Sequence, residues 1–155
     1  MNTGANVTIR QGTVAECVAI SQQIPEFYDR IYGEEAYETR LFNTKSLILV
    51  ALDGDTPVGF KVGYDRDKDG SFYTWMGGVL SDYRKLHIAQ QLADAQEDWA
   101  RQEGFEAIVL KTRNRFRGML IFALKNGFCI EKVEQKEAIK DYRIILRKKL
   151  INYHI

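Results

Sequence analysis

The chain has 155 residues, 45% of them hydrophobic, a size and balance that fit one globular domain with a substantial core. Its 22 Lys and Arg nearly cancel its 21 Asp and Glu, so no global charge recommends a nucleic acid or a membrane as partner, and any electrostatic function is local. No apolar run approaches the roughly 20 residues of a membrane span, and the opening MNTGANVTIR lacks the apolar stretch of a signal peptide, which sets the expectation of a cytoplasmic protein.

In chain order, VTIR reads as a first strand, and TVAE is a capping-box pattern in which Thr13 and Glu16 satisfy amides at the start of a helix running to about Gln23, before Pro25. GEEAYETRLF is a second short helix. SLILVALDGDTPVGFKVGYD is a pair of strands turning at Asp53-Gly54-Asp55. GSFYTWMGGVL is another strand, whose Gly77-Gly78 pair marks a bulge or a close backbone approach. Ile88, Leu92, Ala95 and Trp99 share one helix face, with Gly104 placed to end the helix. AIVLKT is a buried strand, RFRGMLIFALKNG a helix closed by Gly127, and FCIEKVEQ and DYRIILRKKL are two final strands. The order β-α-α-β-β-β-α-β-α-β-β describes an α/β layered domain in which the strands flanking the helix after Ile88 are parallel and joined by a crossover. The start of that helix then lies at the carboxyl end of a strand, where open sheets bind ligands.

Several signals are weighed and set aside. Cys17 and Cys129 sit in apolar patterns with no Cys or His at ligand spacing and read as buried thiols. DRDKDG from Asp65 imitates a calcium loop, but its twelfth position is Met76 where a bidentate Glu is required, so it reads as a polar hairpin turn and no metal is expected. KTRNRFRG gathers Lys111, Arg113, Arg115 and Arg117 around Phe116, which leaves a small RNA-binding module as an outside alternative. Ser81 lacks both the Gly-x-Ser-x-Gly surround of a hydrolase and a triad-like partner.

The stretch GGVLSDYRKLHIAQQL carries the strongest chemistry. The first turn of a helix exposes unpaired N–H groups at a positive dipole end, which suits phosphate, and Arg84 and Lys85 add charge; a plain solvated turn is the competing reading.

With EDWARQEGFEAIVLKT and FALKNGF, this stretch resembles the GNAT superfamily of acyl-CoA-dependent N-acyltransferases, most strongly over residues 73 to 128. The signature R/Q-x-x-G-x-G/A falls on Arg84, Lys85, Leu86, His87, Ile88 and Ala89, and the closing GF on Gly127-Phe128. The resemblance implies a single domain over 1–155, a mixed and mostly antiparallel central sheet with a splayed parallel strand pair, and about four flanking helices. It implies an N-acetyltransferase that moves an acetyl group from acetyl-CoA to a primary amine of a small molecule or peptide by direct attack, with no metal. By the same resemblance Gly77, Gly78 and Val79 run beside the pantetheine arm, main-chain groups from Lys85 through Leu86, His87, Ile88 and Ala89 to Gln90 hold the pyrophosphate, and the Val79 amide polarises the thioester carbonyl.

The sequence also departs from the family pattern. His87 replaces the usual Gly, and the customary Tyr that serves the leaving thiolate aligns with Ala123. The Asn often found before that Tyr aligns with Phe116, although Asn114 stands nearby as a helix cap or a pantetheine contact. FYTWMGGVL contains no carboxylate or His for a general base, which keeps an acyl-CoA-binding regulator without turnover as the alternative. Glu26, Asp29, Glu34, Glu35 and Glu38 border the acceptor side in relatives and are candidates to attract a cationic amine; Tyr73 and Trp75 share a strand face and are candidates to line the pocket. The terminal INYHI leaves a homodimer contact open.

Overall fold

The computed structural model describes residues 7–28 and 31–150. The elements are β1 (Val7–Gln11), α1 (Val14–Ser21), α2 (Glu34–Leu41), β2 (Ser46–Asp53), β3 (Thr56–Tyr64), β4 (Ser71–Val79), α3 (Ile88–Gln102), β5 (Ala107–Arg113), α4 (Arg117–Lys125), β6 (Cys129–Glu134) and β7 (Arg143–Lys149). Short 3₁₀ turns lie at Pro25–Phe27, Ser81–Tyr83 and Ile139–Asp141. The order matches the sequence reading, and the Thr13 and Glu16 capping box forms in both directions, with Glu16 N donating to Thr13 Oγ1 at 3.2 Å and Thr13 N to Glu16 Oε1 at 2.9 Å.

The seven strands form one sheet in the order β1-β2-β3-β4-β5-β7-β6, antiparallel everywhere except between β4 and β5. That parallel pairing spans only Ser71↔Ala107 to Tyr73↔Val109. Past it, β4 continues against β3 as far as Gly59↔Val79, while β5 continues against β7 as far as Arg113↔Arg143. The sheet therefore parts into two halves that diverge toward the carboxyl ends of β4 and β5. Strand alternation sends Leu47, Leu49, Phe72, Ile108, Leu110, Ile144 and Leu146 into a core with Ile88, Leu92 and Ala100 of α3 and Ala123 of α4. The opposite face buries Val50, Phe60 and Val62 against Cys17, Ile20 and Tyr37 of α1 and α2. Phe60, Phe72 and Tyr37 have no exposed surface, and each contributes roughly 1.5–3 kcal/mol by its burial.

Two expectations are corrected. The β4 bulge falls at Trp75, where Val62 pairs with Met76 and Gly63 with Thr74; Gly77 and Gly78 pair regularly with Lys61 and Phe60. The bulge turns both Trp75 and Met76 toward α2, where the Tyr37 hydroxyl donates to Met76 Sδ at 3.7 Å and the Tyr37 ring meets Trp75 at 4.9 Å. Gly78 answers a close approach instead: a Cβ there would lie 2.7 Å from Ile24 Cδ1 and 3.2 Å from the Phe27 ring. Cys17 is buried as expected, its thiol pushed up to about 12 by burial, but Cys129 is exposed because β6 is an edge strand and its residues 129–133 are left uncovered.

No helix among the described residues is long and apolar enough to cross a membrane. Asp29 and the terminal residues 151–155, on which the homodimer expectation rested, lie outside the described residues.

Candidate functional site

A cavity of about 740 Å³ opens where β4 and β5 part. Tyr73, Thr74, Trp75 and Gly77 form one wall and Ile108, Leu110 and Thr112 the other. On one side of the sheet it reaches Ala93 and Gln96 of α3 and Met119 and Phe122 of α4; on the other it reaches Tyr32 and Arg40. A cleft of this size in a sheet switch point suits a small ligand.

The head of α3 is shaped by two residues in left-handed conformation, Lys85 at φ 65° and His87, the N-cap, at φ 63° and ψ 19°. The His87 conformation is the one a Gly would adopt freely. Its carbonyl accepts from Gln91 N at 3.0 Å, but its side chain makes no cap hydrogen bond. The main-chain amides from Lys85 to Gln90 donate to no acceptor among the described residues, and alternating backbone conformations of this kind form an anion-binding nest. Behind them, Ile88 is buried and Leu86 packs on the core, so the turn is seated by side chains while its amides face outward.

The side chains are more committed than the sequence implied. Arg84 is turned away from the nest: its two terminal nitrogens meet Glu26 at 2.7 and 3.1 Å, and its Nε donates to the Val79 carbonyl at 3.1 Å. Its guanidinium holds the Glu26 carboxyl below the usual range. Tyr83 donates to Asp53 Oδ2 at 3.0 Å, tying the same turn to β2. Gln90 Nε2 donates to Asn126 Oδ1 at 2.6 Å and to Asp94 Oδ1 at 2.9 Å, linking α3 to the end of α4. Asn114 donates to the Ile139 carbonyl at 2.9 Å and caps nothing; the α4 N-cap is Phe116.

Along β4, Leu80 N donates to Val58 O at 2.9 Å, and the alternation of an antiparallel ladder then directs Gly78 main-chain groups to β3 and those of Gly77 and Val79 to the open side. Ala123 is fully buried in the core, and the face of α4 that reaches the cavity carries Met119, Phe122 and Asn126 instead.

Lys61 and Gln96 are among the cavity residues that escaped the sequence reading. Lys61 on β3 stands opposite Gly77 and lines the cavity; burial pushes its ammonium down to about 8, with Glu97 pulling the other way. Gln96 on α3 is 1% exposed and lines the same space, and its Nε2 has no hydrogen-bond partner. The available signal was a Lys and a Gln at positions whose strand and helix neighbours are apolar. Glu97 next to it is bound by Lys148 at 2.9 Å and Arg101 at 3.3 Å.

The far side of the cavity is aromatic and cationic. Trp75 packs at 5.3 Å from Tyr32, 4.9 Å from Tyr37 and 6.1 Å from Tyr64. The Arg40 guanidinium lies 5.0 Å over Tyr32 and 4.5 Å over Trp75, and that of Arg66 lies 4.0 Å over Tyr73. Tyr73 and Trp75 line the space. Glu34, Glu35 and Glu38 are exposed on α2 and do not line it. Among the described residues no group of three His, Cys, Asp or Glu is arranged to hold a metal.

The family model described as the Acetyltransferase (GNAT) family matches residues 15–128. In fold, the chain is similar to the ribosomal-protein-S18-alanine N-acetyltransferase of Escherichia coli, with a TM-score of 0.80 and 12% identity over 96% of each chain. It is similar to Ard1 of Thermoplasma volcanium, with a TM-score of 0.79 and 15% identity over 96% of this chain and 100% of that one. The PaiA N-acetyltransferase of Thermoplasma acidophilum, solved in complex with coenzyme A, aligns with a TM-score of 0.70 and 19% identity over 92% of this chain and 98% of that one. Among curated proteins no sequence relative reaches significance.

Proposed function

The chain belongs to the GNAT acetyltransferase family, and on that premise we propose that it transfers an acetyl group from acetyl-CoA to the primary amine of a small molecule or peptide by direct attack in a ternary complex. The observation that carries the proposal is the row of unpaired amides from Lys85 to Gln90 at the head of α3, the helix that connects β4 to β5.

The residues present fit acetyl-CoA. The nest at Lys85 and His87 suits a pyrophosphate. The open edge of β4 at Gly77 offers main-chain partners to the amides of pantetheine, the Val79 carbonyl being held by Arg84, and Gln96 Nε2 is a buried donor in want of an acceptor. Acetyl-CoA, when bound, supplies an acyl carbon with a tolerable thiolate leaving group. The Val79 amide polarises the acyl oxygen as the amine attacks, a main-chain oxyanion contact that needs no side chain. The aromatic wall at Tyr73 and Trp75 orients the amine. The new C–N bond replaces C–S; the ammonium proton leaves to water, and Lys61, a half-buried cation lining the cavity, is suited to offset the thiolate charge.

Ala123 in the usual acid position, and a β4 wall without carboxylate or His, favour a second reading as an acyl-CoA-binding regulator. Thermal shift with acetyl-CoA, followed by spectroscopic detection of free CoA thiol across amine acceptors, separates the two. We expect a raised melting temperature by mass action and thiol release with at least one amine class. Binding without release across all classes selects the regulator, and a flat thermal response at millimolar acetyl-CoA, with no heat of binding, overturns both.

A further inference from the structure

The cavity is far more cationic than the protein. Eight of its lining residues are Lys or Arg and two are acids, in a chain whose formal charge is +1. Both acids are already engaged, Glu26 with Arg84 and Glu97 with Lys148 and Arg101.

The excess concentrates on the α2-facing side, away from the head of α3. Strand alternation sets Lys111 and Arg113 on the face of Val109, and Arg143 on the face of Ile145. Arg113 and Arg143 are directly opposed across the β5–β7 ladder, a like-charge pairing that costs stability unless something neutralises it. Lys111 beside them is held below its usual proton affinity by burial and then by Arg66 and Arg143. The local acids do not close the account: Asp67 makes two 2.9 Å contacts with Arg66, Glu134 opposite Arg143 is 3.7 Å from Lys132, and Asp141 is paired with Arg115. Among the described residues Arg40, Lys111, Arg113 and Arg143 make no ion pair. Arg40 is nevertheless fixed, stacked on Tyr32 and Trp75 and donating to the Ala36 carbonyl at 3.3 Å.

A polyamine or an aminoglycoside brought to this wall meets repulsion in a partly desolvated space. An amine that also carries an anion relieves the Arg113 and Arg143 opposition and satisfies guanidinium forks suited to oxyanions. We infer that the acceptor is a small amine bearing a carboxylate or phosphate, with its anion held among Arg40, Lys111 and Arg143 and its amine directed to the gap between β4 and β5. This deepens the acetyltransferase reading and rests on it for the role of the amine.

The test uses unreactive, product-like probes, so that it does not depend on turnover. N-acetylglycine, N-acetyl-ethanolamine phosphate, neutral N-acetylglycinamide and cationic N-acetyl-1,4-diaminobutane are titrated calorimetrically into the whole protein, with and without CoA. The anionic probes should bind about tenfold or more tighter than the neutral one, as a charge-assisted contact to a partly desolvated cation requires. Their relative affinity assigns carboxylate or phosphate. Lys111→Gln with Arg143→Gln should remove that preference and leave CoA binding unchanged. Arg40→Gln, which lies outside the sheet, serves as the independent variant and should weaken the same probes. Equal binding of neutral or cationic probes, or anion binding unaffected by both variants, overturns the inference. Anion preference without CoA binding would overturn the acetyltransferase reading and keep the anion site.

Discussion

Glu26 and Arg84, 58 residues apart, are joined by contacts of 2.7 and 3.1 Å while the Arg84 Nε holds the Val79 carbonyl. One guanidinium thereby ties the 3₁₀ turn at Pro25–Phe27 to the end of β4 and to the turn that precedes α3. The nest is braced before any ligand arrives, and such preorganisation favours affinity.

Glu26→Gln should therefore weaken CoA binding a few-fold through the loosened turn, with little effect on the fold: the pair is exposed, 41% and 55% for its two side chains, and is worth about 0–1 kcal/mol. Because Arg84 lowers the folded-state affinity of Glu26 for protons, the contribution of the pair is present above the ordinary Glu range and is lost as pH falls through the lower folded value. Melting curves of parent and variant should differ at neutral pH and converge in acid.

His87 adopts φ 63° at a cost that Gly would not incur, roughly 1–2 kcal/mol in the left-handed region. His87→Gly is expected to melt at the same temperature or higher and to keep CoA affinity, whereas the β-branched His87→Val should lower both. Loss of CoA binding in a folded His87→Gly protein would show that the ring, not the main chain, holds the phosphate.

Lys61 offers a pH signature. Its ammonium is pushed down to about 8, so between that value and the unfolded one the folded state holds fewer protons, and stability attributable to this group rises with pH across that window. At neutral pH the charged form is a burden, and Lys61→Met should raise the melting temperature, by on the order of 1–3 kcal/mol of stability, with the advantage fading in alkali. If Lys61 serves the thiolate, the variant also loses any inflection of turnover near pH 8 that the parent displays. Denaturant melts and a pH–rate series check the two parts separately.

Ala123 has no exposed surface, so Ala123→Tyr should overpack α4 against the core and cost about 1–3 kcal/mol instead of restoring an acid. Phe122 reaches the cavity, and Phe122→Tyr should keep the melting temperature and raise thiol release, by at most about 10²- to 10⁴-fold. Unchanged turnover in a stable Phe122→Tyr protein would mean that proton donation is not limiting.

The element order was legible because each segment carried its own period and punctuation, as Thr13 and Glu16 before α1 or Gly127, at φ 89°, after α4. The head of α3 was legible for a different reason: its amides are a property of any helix start, and the letters around His87 only marked where it falls. Non-local consequences stayed hidden. The Trp75 bulge depends on which β3 residues face it, and the opposition of Arg113 and Arg143 exists only in the β5–β7 register. Arg84 read as a phosphate ligand because nothing in the local sequence reveals Glu26 beside it. The acids of α2 read as acceptor contacts for the same reason, while the basic side chains that line the cavity come from β3, β5, β7, the head of α4, the loops at Arg66 and Arg115 and a single α2 residue, Arg40.

The nest and the open edge of β4 are made of main-chain groups, and main-chain groups survive substitution. Any letters that seat the turn and tolerate its dihedrals preserve those groups, so that between Lys85 and Gln90 the alphabet is narrowed at the positive-φ positions 85 and 87 and at the core-packed positions 86 and 88. On the reading proposed above, the acceptor half is written in side chains, where exchanging Lys111 or Arg143 would change the ligand without touching the cradle. On that reading, a lineage carrying this cleft would be free to trade substrates one residue at a time while its acyl donor stayed the same.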